Sequence, residues 1–97
     1  MSRIYLSAPH LGTNEERFVQ EAFSTNWVST VGPNIEAFER SFSELMGGLP
    51  CVALSSGTAA IHLGLKLLGV GADDDVICST LTFAASANPI VYQNARP

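Results

Sequence analysis

From residue 51 to residue 94 the chain alternates short apolar runs with helical patterns, and this alternation limits the folds open to it. Residues 51–54, Cys-Val-Ala-Leu, are apolar on both faces and read as a buried strand. A helical pattern follows, entered through Ser56-Gly57-Thr58 and running to about residue 68, with a turn at Gly69-Val70-Gly71-Ala72. A second apolar strand is expected at residues 76–78, Val-Ile-Cys. The last helix is expected over about residues 82–94, with Pro89 inside it, where the missing N–H should kink or break it. Strand–helix–strand–helix with short links predicts an α/β fold on a parallel sheet. Two parallel strands alone do not make a stable sheet, so the 97 residues read as the front part of a longer protein.

Residues 1–50 form a separate, helical segment. Residues 3–6 are a short extended opening, followed by a loop to Gly12. Thr13 is a suitable N-cap, with Glu15 and Glu16 in the first turn and Phe18, Val19, Ala22 and Phe23 at helical spacing to about residue 25. Residues 26–34 are irregular and unusually apolar for a surface loop. A second amphipathic helix is expected over about residues 35–46. Ile35, Phe38, Phe42 and Leu45 share one face, and Gly47-Gly48-Leu49-Pro50 stops it.

Composition excludes several functions. Nine acidic residues against five basic ones give a net charge of −4, with no Lys/Arg cluster, which argues against a nucleic-acid or anionic-membrane partner. No apolar run approaches the roughly 20 residues of a membrane span, and the opening residues lack signal-peptide character, so a cytoplasmic location is expected. Cys51, Cys78, His10 and His62 match no zinc spacing, and the two cysteines read as buried reduced thiols. Asp73-Asp74-Asp75 reads as a solvated turn rather than a metal site, because no further carboxylates gather near it.

The Ser56-Gly57-Thr58 entry has two readings. Ser and Thr are ordinary helix caps. Equally, a helix that follows a strand presents unpaired N–H groups and a positive dipole end at the sheet edge where α/β folds bind ligands. Gly57 would let a phosphate approach the backbone, Thr58 adds a hydroxyl donor, and such a site needs no lysine. The stretch is neither a P-loop nor Gly-x-Gly-x-x-Gly. On its own it supports cap and anion site equally. The second junction, Ser79-Thr80-Leu81-Thr82-Phe83, should open on the same edge and puts Phe83 at a helix start. An aromatic beside a phosphate cradle suits a flat phosphorylated cofactor.

These stretches together, "NWVSTVGPNIEAFE" and "LSSGTAAIHLGLKLLGVGADDDVICSTLTFAASANPI", resemble the DegT/StrS-type family of sugar aminotransferases, with the likeness strongest to exopolysaccharide-biosynthesis members. The resemblance rests on Gly-Pro-x-x-x-x-Phe-Glu, Ser-Gly-Thr-Ala-Ala and Thr-Phe-x-Ala at these separations and runs across essentially the whole chain. It implies the three-layer α/β/α large domain of a fold-type I pyridoxal 5'-phosphate (PLP) enzyme. Residues 1–50 would be its helical amino-terminal segment and residues 51–97 a β-α-β-α cofactor-phosphate segment. It further implies that Ser56, Gly57, Thr58 and the Ala59 amide contact the PLP phosphate and that Phe83 stacks on the ring. By the same resemblance Trp27, Thr30 and Gly32 belong to a substrate-binding segment near a dimer interface.

The implied partners are a nucleotide-linked keto sugar and an amino-acid donor, with glutamate expected, in a homodimer or larger homo-oligomer. The family's catalytic lysine has no counterpart among these residues. Lys66, the only lysine, falls inside the motif helix and shares an exposed stripe with His62, so the 97 residues by themselves are expected to be inactive. Two other readings stand beside this one: a PLP-dependent sugar dehydratase of the same family, and a non-catalytic oligomerising α/β module.

Overall fold

A computed structural model describes Arg3–Ile4 and residues 7–97. The expected extended opening at residues 3–6 therefore lies partly outside the described residues. Among the described residues there are four α-helices: α1 Glu15–Ser24, α2 Pro33–Leu45, α3 Gly57–Leu67 and α4 Asn88–Tyr92, with a 3-10 turn at Ala84–Ser86 before α4. Contacts divide the chain into two units, Met1–Cys51 and Val52–Pro97.

All four helices end by the same device. The chain passes into the left-handed region at Asn26 (φ 59°), Gly47 (φ 72°), Gly69 (φ 77°) and Asn94 (φ 60°). The next N–H then reaches back to the carbonyl five residues earlier. The bonds are Trp27 to Ala22 (2.9 Å), Gly48 to Ser43 (2.8 Å), Val70 to Leu65 (3.1 Å) and Ala95 to Ile90 (3.2 Å). This is the Schellman stop, which satisfies carbonyls that the helix leaves unpaired. Gly47 and Gly69 adopt that conformation without a Cβ penalty. The two asparagines are the side chains that tolerate it best after glycine.

The helix starts differ from expectation. Thr13 does not cap α1: the N-cap residue is Asn14, and it makes no side-chain cap bond. Glu15 follows in the first turn, where an acidic side chain suits the positive end of the helix dipole. Its carboxyl is held below the usual carboxylate range by backbone N–H groups, first its own, then those of Gly12 and Asn14. A proline opens α2 two residues earlier than periodicity suggested, because Pro33 has the fixed φ of a first helical residue and no N–H to leave orphaned. The single helix expected over residues 82–94 is instead a 3-10 turn and a short α4. Pro89 lies in the first turn of α4, so it begins a helix rather than kinking one.

In the unit Met1–Cys51, α1 and α2 are joined by residues 25–32, and Trp27 lies against Gly32. Gly32 is buried at φ +131°, and a Cβ added there would stand 2.7 Å from the indole. Along the helices Phe18, Phe23, Phe38, Phe42 and Leu45 are exposed, so the apolar stripes seen in the sequence are not buried among the described residues.

In the unit Val52–Pro97, α3 packs against α4 and the 3-10 turn. The centre of this packing is Ile90, 2% exposed, with Pro89 and Ala95. The ring of His62 on α3 meets Tyr92 on α4 edge-on, with centroids 5.5 Å apart. His62 is accordingly half-buried, which corrects its expected place on an exposed stripe, while Lys66 is exposed in the last turn of α3, where its charge complements the helix dipole.

Neither expected strand is formed among the described residues. Residues 51–54 and 76–78 have no ladder partner, and the one parallel pairing is an isolated bridge between Asp75 and Arg96. Two backbone bonds make it, Val76 N–H to the Arg96 carbonyl (2.8 Å) and Arg96 N–H to the Asp74 carbonyl (2.9 Å). An exposed ion pair, Arg96 Nε to Asp75 Oδ1 at 2.7 Å, spans the same position and adds at most about 1 kcal/mol. Strand structure exists only where the backbone groups of two segments pair, and an apolar run cannot supply its own neighbour. Cys51 and Cys78 are free thiols, but half-buried rather than buried.

Gly32→Ala should destabilise the α1–α2 unit by about 1–3 kcal/mol, because it adds both a positive-φ penalty and a clash with Trp27. A calorimetric or circular-dichroism melt checks it, with Val31→Ala as the control that leaves the melt nearly unchanged. For Glu15, a lowered pKa means that its contribution to α1 is complete above the unfolded value and is lost as pH falls through the lower folded value. The Glu15 carboxyl 13C shift should titrate below the ordinary value of about 4.3, and Glu15→Gln should remove that part of the acid fraying of α1.

Candidate functional site

The candidate residues in the unit Val52–Pro97 fall on two chain junctions. At the first, Ser56 is extended (φ −163°, ψ 159°), and its Oγ accepts from the Ala59 N–H at 3.1 Å. The Ser56 carbonyl begins the helical ladder by accepting from Ala60 N–H at 3.1 Å. The sequence left cap and anion site open here, and the cap is present. The amide of Ala59, expected at a phosphate, is occupied by its own serine.

The N–H groups of Gly57 and Thr58 come earlier in the same first turn, where a helix has no internal acceptor for them. Gly57 is exposed, and nothing lies within 4 Å of the point where a Cβ would stand. Thr58 and Ala59 are half-buried. The junction thus offers two backbone donors at the positive end of α3, with open space beside Gly57. An anion of phosphate size fits that chemistry without a basic side chain.

At the second junction, Phe83 is extended (φ −68°, ψ 140°), and its carbonyl accepts from Ser86 N–H at 2.9 Å to start the 3-10 turn. Phe83 as a whole is 81% exposed. It borders an open cleft of about 550 Å3 whose walls include Ile77, Cys78, Ser79, Thr80 and Pro97. The hydroxyls of Thr82 and Ser86 bond at 2.8 Å across the extended Phe83 and the start of the 3-10 turn. None of Ser56, Gly57, Thr58 or Ala59 lines this cleft.

The remaining candidates, Trp27, Thr30 and Gly32, are in the other unit. Thr30 is exposed and Trp27 about half exposed (48%), whereas Gly32 is buried beneath the indole and serves the loop's shape. The acidic triplet divides its roles: Asp74 Oδ2 accepts from Gly71 N–H at 2.8 Å to close the turn, and Asp75 pairs with Arg96.

Sequence reasoning missed the His62–Tyr92 contact and the Asp75–Arg96 pair. Both join residues far apart along the chain, which local periodicity does not reach. The Thr82–Ser86 bond joins residues four apart, yet helical spacing does not account for it, because Phe83 is extended and only Ala84–Ser86 forms a 3-10 turn.

Comparison with known proteins gives consistent likenesses. The model of the DegT/DnrJ/EryC1/StrS aminotransferase family matches residues 9–97. EpsN of Bacillus subtilis (strain 168), assigned as a pyridoxal phosphate-dependent aminotransferase, is 46% identical over 95 residues, covering 98% of this chain and 24% of its own length. GDP-perosamine synthase of Caulobacter vibrioides is 41% identical over 97 residues, all of this chain and 26% of its own. Among solved structures, the aminotransferase TlmJ from Streptoalloteichus hindustanus aligns with a TM-score of 0.77 and 34% identity over 98% of this chain and 26% of that one. The chain thus spans about a quarter of the length of the relatives it matches.

The cap gives a direct test. Ser56→Ala should cost α3 about 1 kcal/mol and speed amide exchange at Ala59 roughly fivefold, while Ser55→Ala leaves it unchanged.

Proposed function

The chain belongs to the DegT/DnrJ/EryC1/StrS aminotransferase family, and we propose that it is the amino-terminal portion of a PLP-dependent enzyme that moves an amino group onto a nucleotide-linked keto sugar. The observation that carries this reading is that nearly all of this chain aligns with about a quarter of the length of proteins named as aminotransferases or as a sugar synthase. They include GDP-perosamine synthase and the dTDP-4-dehydro-2,3,6-trideoxy-D-glucose 4-aminotransferase of Saccharopolyspora spinosa, 41% identical over 97% of this chain. A keto sugar bound for polysaccharide or glycan is the acceptor we propose, with glutamate as the donor. Within this reading the parent adopts the three-layer fold-type I architecture, works as a homodimer or larger oligomer, and acts in the cytoplasm. No helix among the described residues is long and apolar enough to cross a membrane.

PLP, when bound, supplies the electron sink that lets an amino group leave one carbon for another. The residues of the two junctions would hold it. Gly57 and Thr58 would donate backbone N–H groups to the phosphate, and the Thr58 hydroxyl would add a third donor. Ser56 shapes the turn that aims them. Phe83 offers an exposed aromatic face on the neighbouring junction. No residue of this chain is assigned to proton transfer: Lys66 is exposed near the end of α3, away from the turn that carries the phosphate donors.

Two measurements test the proposal. The full-length parent mixed with PLP should develop a visible-range absorbance that glutamate bleaches, and a parent that stays colourless overturns the cofactor assignment. Titrating the 97-residue chain with PLP or inorganic phosphate should move the amide signals of Gly57 and Thr58 first. A titration that leaves both in place reduces Ser56-Gly57-Thr58 to a helix cap.

A further inference from the structure

We draw no further inference here: the strongest candidate, the apolar trough of about 440 Å3 bordered by Phe18 of α1 and by Asn34, Ala37, Phe38 and Ser41 of α2, is an unpartnered face, and nothing in the structure shows what covers it.

Discussion

The left-handed stop at the end of each helix is the constraint on which the rest of the chain depends. Asn26, Gly47, Gly69 and Asn94 each turn the backbone where the helical ladder can no longer be continued. Each stop fixes the direction of the segment after it. Beyond α1 it delivers Trp27 to Gly32, which seats Pro33 at the start of α2. Beyond α3 it leads into the turn closed by Asp74. Beyond α4 it brings Ala95 into the small core beside Ile90 and sets Arg96 against Asp75. A side chain that disfavours positive φ at one of these positions would strain the stop by about 1–2 kcal/mol.

Packing supplies much less. Fully burying a Leu or Phe side chain contributes about 1.5–3 kcal/mol, and most of the large apolar side chains among the described residues withhold that contribution. Ile77 is 99% exposed and Leu81 95%, on the stretch between the Asp75–Arg96 bridge and Phe83. The helices therefore rest on local devices: caps, stops and the α3–α4 contact. Their apolar stripes have the spacing of faces that pack against another layer, as the two-layer logic of domains requires.

What could be read from the residues tracked the range of the forces involved. The three longer helices were legible because periodicity and end signals act within a turn or two, and Gly47 and Gly69 marked two stops correctly. The asparagine stops were less visible, since Asn26 and Asn94 carry weaker left-handed preferences than glycine. Pro33 and Pro89 are start signals that apolar periodicity does not carry, so α2 begins earlier than its apolar spacing predicts and the 3-10 turn and α4 are separate elements. The strands were not realised, because pairing is a property of two segments and residues 51–54 contain one. At the candidate site, Ser56 as a cap was legible from its type and position. That its hydroxyl takes the Ala59 amide, and that Phe83 borders a cleft without the Ser56–Ala59 turn, depends on where the chain places them in space.

The Ser56 cap makes the junction its own competitor. Any anion that recruits the Ala59 amide must first displace the serine hydroxyl, so the strength of the cap, about 1 kcal/mol, is subtracted from affinity and weakens binding roughly fivefold. The same exchange keeps the turn ordered when no anion is there, because the donor always has an acceptor. Gly57 and Thr58 carry the donors that an anion could engage without breaking this bond, and any firmer hold on a ligand would have to come from groups beyond this one turn.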